Sequence, residues 1–179
     1  MKIKSCNILL IATFQLFSIS ALAQKNANLS SLLDKNSELI LPQTQDNISK
    51  VLKIRPVISE DANEEKYAYW RTSSGLELYS SLGNGKINEI FFDIPDDKFI
   101  IVSGLPYGLT INKTTSQEAK AKFAKYNPKS EKLGDDSSFS GGLKLTLKKE
   151  KHYLTLLFDR KNVLKFLSIT QNLIDPAAN

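Results

Sequence analysis

His152 is the only imidazole in the chain, and so the one side chain built for general base work near neutral pH. Such a base needs a nucleophile and an orienting acid beside it. No Gly-x-Ser-x-Gly elbow occurs in the sequence, and Tyr153, Leu154, Thr155 and Leu156 alternate behind the histidine like a strand. His152 therefore reads as an exposed residue at a strand start, beside lysines. Asp96-Asp97 and Asp135-Asp136 are paired carboxylates, the residue type that glycoside hydrolysis uses. Neither pair has the alternating oxygen ligands of a calcium loop, and nothing beside them supplies a sugar-stacking groove. Local hydrogen bonding at turns accounts for both. No phosphate loop or dinucleotide fingerprint is present. The pattern argues against an enzyme and implies neither cofactor nor metal.

Other residues suit recognition better than catalysis. Tyr67, Tyr69, Trp70 and Arg71 fall in one short run, and tyrosine, tryptophan and arginine dominate binding hot spots. Period-2 alternation puts Tyr67 and Tyr69 on one face and Trp70 on the other, where it is expected beneath a helix. Tyr107 in Pro106-Tyr-Gly108 and Phe139 in the loop from Asp135 to Gly142 each place an aromatic in a turn-rich segment. Such tips either wedge into a partner's cleft or fold back over the ends of a sheet. Tyr67, Tyr69, Arg71, Tyr107, Asp135, Asp136 and Phe139 are the candidate partner-binding residues. Lys144, Lys148, Lys149 and Lys151 form the densest basic stretch, read as a solvated strand face and hairpin turn rather than a phosphate site.

The elements that position these residues follow one pattern stated twice. A short helical stretch with Ile48, Val51 and Leu52 ends before Pro56. Strand-like runs follow at residues 67–72, 76–80 and 86–92, the last two joined at Gly83-Asn84-Gly85. Thr115 and Glu118 then form a capping-box signature, opening a helix with Ala119, Phe123 and Tyr126 on its apolar face. Pro128 ends it, and strand-like runs recur at 142–148, 152–158 and 162–170, the last pair turning at residues 159–162. Lys50-Val-Leu-Lys-Ile-Arg-Pro56 aligns with Lys122-Phe-Ala-Lys-Tyr-Asn-Pro128. The expected fold class is α+β, two fused units that each set a helix on a three-stranded antiparallel meander. The units span residues 39–102 and 103–171.

At the N-terminus Lys2 and Lys4 precede a largely apolar run from Ile8 to Ile19, and Ala21-Leu22-Ala23 supplies a small-x-small cleavage signal. Residues 1–23 thus read as a secretory signal peptide, too short and wrongly flanked for a transmembrane helix. Removing them from the 179 residues leaves 156, takes away the only cysteine, Cys6, and lowers the net charge from +5 to +3. A chain of that length holds a core without disulfides. Cys6 also precedes the apolar run, unlike a lipoprotein cysteine. Residues 24–38 are expected as a loose arm docking weakly through Leu29, Leu32 and Leu33, and 172–179 as a tail. The sequons at Asn28, Asn47 and Asn112 are taken as chance in a chain with a bacterial-type signal.

The tandem plan resembles the beta-lactamase-inhibitor protein and the small outer-membrane assembly lipoproteins that share its repeat unit. The stretch Gly104-Leu-Pro-Tyr-Gly-Leu109, followed by the capped helix from Thr115, resembles the opening of secreted immunity-type proteins. Two departures stand out: Tyr126-Asn127-Pro128 occupies the place of a Leu-Gly-x-Pro turn, and there is no lipobox. The resemblance implies noncovalent binding to a partner enzyme or an envelope protein. The expectation is a periplasmic immunity protein that sterically inhibits a secreted toxin or hydrolase. The alternative is an envelope scaffold or outer-membrane assembly factor. Neither reading involves nucleic acid or membrane insertion after signal cleavage.

Overall fold

Leu143, Leu145 and Leu147 alternate with Lys144, Thr146 and Lys148, and this run forms one of the three longest strands among the described residues. The computed structural model describes residues 24–94 and 99–172. The signal-like segment, Asp96-Asp97 and the tail beyond residue 172 lie outside the described residues. In chain order the elements are β1 (Gln24–Asn26), α1 (Gln45–Leu52), β2 (Val57–Glu60), β3 (Lys66–Arg71), β4 (Glu77–Ser81) and β5 (Ile90–Asp93). There follow β6 (Ile101–Ser103), α2 (Ser116–Lys122), β7 (Lys129–Lys132), β8 (Leu143–Lys149), β9 (His152–Phe158) and β10 (Leu164–Thr170). No helix among the described residues is long and apolar enough to cross a membrane.

The fold is mixed α and β. Eight strands form one antiparallel sheet in the order β2-β3-β4-β5-β10-β9-β8-β7, while β1 and β6 make a small parallel pair. Each run of four consecutive strands is a meander, and the two runs meet where β5 pairs with β10. The expectation of three strands per meander is therefore corrected to four. The unforeseen strands of the large sheet are β2 and β7, which directly follow Pro56 and Pro128. All eight of their residues are exposed, so neither carries an apolar alternation to read. The run expected over 86–92 begins as a strand only at Ile90, because Ile87 instead bridges Gln43.

Both helices cover the same face of the sheet. Ile48 of α1 and Ala119 of α2 share one core with Trp70, Leu78, Phe92, Leu145, Leu156 and Leu167. Trp70 lies beneath α1, fully buried, and its Nε1–H donates to Ser49 Oγ at 2.9 Å. Burying such a ring without a partner for its N–H costs free energy, so the serine fixes the helix over the tryptophan. At α2 the Thr115 hydroxyl accepts from the Glu118 N–H, and the Glu118 carboxylate accepts from the Thr115 N–H. That closed box satisfies two orphan helix donors, and those bonds hold the Glu118 carboxyl below its usual range.

Residues 24–38 differ from the weakly docked arm expected of them. Ala27, Leu29 and Leu32 are buried in the main core, and β1 pairs with β6. Gly104, at φ +81°, lets β6 turn away where a Cβ would strike the Asn26 side chain.

Candidate functional site

The sheet face turned away from the helices carries the distinguishing surface of the molecule. Alternation sends Ala68 and Trp70 of β3 into the core and Tyr67, Tyr69 and Arg71 to the opposite side. Register carries this across the sheet. Val57, Tyr69, Tyr79, Phe91, Ser168, Thr155, Thr146 and Lys129 stand opposite one another in a single row through all eight strands. The β2–β5 half of the row is apolar and aromatic, and the β10–β7 half is hydroxylic and basic.

The aromatic half is a ring stack at strand spacing. Tyr69 and Tyr79 have ring centroids 5.4 Å apart at 21°, and Tyr79 and Phe91 4.8 Å apart at 14°. Tyr67 lies 6.5 Å from Tyr69, and Phe166 of β10 lies 6.2 Å from Phe91. Cross-strand aromatic pairs of this kind stabilise the sheet by about 0.5–1.5 kcal/mol each and hold one another's rotamers. Burial, then the nearby Asp93 carboxylate, pushes the Tyr79 phenol well above its usual range. Burial and then Glu65 do the same to Tyr67 more mildly. Beside the stack, Arg71 donates to Glu77 Oε2 at 2.9 Å with its guanidinium largely exposed. An ion pair so exposed adds little stability and leaves the arginine available to a partner.

The loop between β7 and β8 folds onto this same face. Leu133 packs with Phe91, Leu157 and Phe166, and Tyr79 and Phe139 pack against that cluster. Of the two roles open to Phe139, the structure shows the inward one: it covers part of the sheet. Asp135 accepts from Ser140 Oγ at 2.8 Å, and Arg160 donates to the Ser140 carbonyl at 2.6 Å, which ties the loop to the β9–β10 turn. Asp136 is exposed in this loop.

Of the candidate residues, the structure thus brings Tyr67, Tyr69 and Arg71 together and sets Phe139, with Asp135 and Asp136 in its loop, on the same side of the sheet. Tyr107 is on the other side. It packs against the main core with its ring edge-on to Phe123 at 5.5 Å, and its N–H donates to the Ser37 carbonyl. Burial, then Glu38, raises its phenol far above the usual value. Val57, Tyr79, Phe91 and Phe166 belong to the face but were not singled out from sequence. Glu77 and Tyr79 flanking Leu78 carried a usable signal, whereas Phe91-Phe92 gave no way to tell which ring faces inward.

The basic stretch is not a free patch. Lys144 Nζ reaches Glu131 at 2.9 Å, Lys148 lies over the Tyr153 ring, and the nearly buried Lys149 bonds Glu38 at 2.6 Å. Burial opposes the Lys149 charge, but the Glu38 carboxylate outweighs it and raises the ammonium above the lysine range. Among the described residues no group of three or more His, Cys, Asp or Glu side chains gathers as a metal site.

No family model matches the chain, and no curated protein matches it. Among solved structures it is similar to a DUF4309 family protein, YjgB, from Bacillus subtilis subsp. subtilis strain 168. The two are 10% identical, with a TM-score of 0.41, over 81% of this chain and 97% of that one. A likeness so slight carries no argument about fold or function.

Proposed function

We propose that the chain is an exported, noncatalytic protein-binding module, a periplasmic immunity protein that neutralises a secreted toxin enzyme by covering its active site. The observation that carries this reading is the sheet face opposite the helices, where Tyr67 and Tyr69 belong to an ordered aromatic stack with Arg71 beside it. Rings already held by their neighbours lose little freedom on binding, which is what a contact surface needs. The recurrence of one helix followed by four strands of the large sheet supports the further reading that the chain is a tandem duplication. Its two copies would have diverged on this face, one becoming aromatic and the other hydroxylic.

The test is capture of partners with the purified chain, followed by assay of any captured hydrolase or pore-former. The toxin's activity is expected to fall in proportion to the chain added. Arg71→Ala, which removes only an exposed ion pair, is expected to weaken the complex about tenfold while leaving the unfolding midpoint nearly unchanged. A captured enzyme that stays fully active at saturation sinks the inhibitor reading. Capture of outer-membrane assembly proteins instead moves the function to an envelope scaffold.

A further inference from the structure

The two edges of the large sheet are not alike. At one edge β7 reads Lys129-Ser-Glu-Lys132, and charge of that kind blocks pairing with a further strand. At the other edge β2 reads Val57-Ile-Ser-Glu60, with Val57 70% and Ile58 47% exposed. An apolar, uncovered edge is a template for another strand.

Hydrogen bonding fixes which groups of β2 are free. Leu82 N–H donates to the Lys66 carbonyl and Thr72 N–H to the Leu76 carbonyl, so even-numbered residues of β3 bond toward β4. Tyr67 and Tyr69 then bond toward β2, where their partners are Ser59 and Val57. The amides and carbonyls of Ile58 and Glu60 accordingly point away from the sheet.

The flanks of β2 carry opposite charges. Lys53 and Arg55 precede it, and Asp61, Glu64 and Glu65 follow it. Arg55 and Asp61 are both exposed. Asp61 uses one carboxylate oxygen to accept from the Asn63 and Glu65 N–H groups, and the other oxygen remains for a partner. Such a strand complements itself when antiparallel and repels itself when parallel.

We infer that the chain dimerises by pairing β2 antiparallel with β2 of a second copy, about a two-fold axis through Ile58. In that register the two Ile58 residues exchange both backbone hydrogen bonds. Each Glu60 N–H donates to the Pro56 carbonyl of the other copy, where the missing proline N–H matters least. Val57 meets Ser59, and Arg55 meets Asp61 twice, once on each side of the axis. The two sheets become one, with a closed isologous interface.

Sedimentation equilibrium of the chain purified after expression of the full sequence tests this, and no other protein is needed. Failure here therefore leaves the toxin-binding reading untouched. A reversible monomer–dimer equilibrium is expected. Ile58→Pro removes an outward N–H that the sheet does not use, and is expected to give monomer with unchanged circular dichroism. Arg55→Glu is expected to raise the dissociation constant roughly tenfold, whereas Lys129→Glu on the opposite edge leaves it unchanged. A wild-type chain that stays monomeric at the highest soluble concentration overturns the inference, as does a dimer indifferent to both the Ile58 and the Arg55 substitutions.

Discussion

His152 opens β9 opposite Lys149, half-buried, and burial holds its imidazole below the usual value, with Glu150 opposing and Lys149 assisting. Its folded form therefore prefers to be neutral. The sign follows directly: stability from this group is complete above the unfolded value of about 6.5 and is lost as pH falls through the depressed folded value. Unfolding by urea at pH 7, 6 and 5 is expected to show that loss, and His152→Gln is expected to flatten the slope. A slope unchanged by the substitution would assign the acid sensitivity to carboxylates instead. His152 was legible from sequence as a strand-start residue because the alternation behind it is regular. What sequence could not show is Glu38, more than a hundred positions away, bonding the lysine that faces it.

At the scale of elements, strands and caps with internal logic were readable. The β8 alternation, the Thr115 box and the turn at Asp159 each depend on residues a few positions apart. Edge strands β2 and β7 were not, because with every side chain in solvent they have no buried face to leave a pattern. The β7–β8 loop was ambiguous for a related reason: its aromatic finds its neighbours on strands far along the chain. Phe139 packs against the Phe91, Leu157 and Phe166 cluster. Phe139→Ala is expected to cost about 1–2 kcal/mol, since the ring is only half-buried. Denaturant unfolding measures that cost, and the variant is expected to bind more of an apolar dye, because the cluster it covered becomes accessible. A stability loss near zero would show that the loop does not hold that face closed.

For the molecule as a whole, the decisive fact is that residues of both meanders form one core. Phe92 and Leu78 from the first share it with Leu156 and Leu167 from the second, and β5 and β10 are hydrogen-bonded partners. Neither half has a complete core to itself. Heating is expected to give one transition with equal calorimetric and van't Hoff enthalpies. A chain ending at residue 160, which lacks β10, is expected to lose the cooperative transition altogether; retention of it would mean that the first meander stands alone. The seam also has a temporal side. The centre of the sheet is completed by Leu164–Thr170, far along the chain from the β5 strand it pairs with. As the chain is synthesised β5 waits with an open flank, and the large sheet cannot close until β10 has followed it. Whatever reaches the growing chain in that interval meets an unfinished sheet with an unpaired strand at its centre.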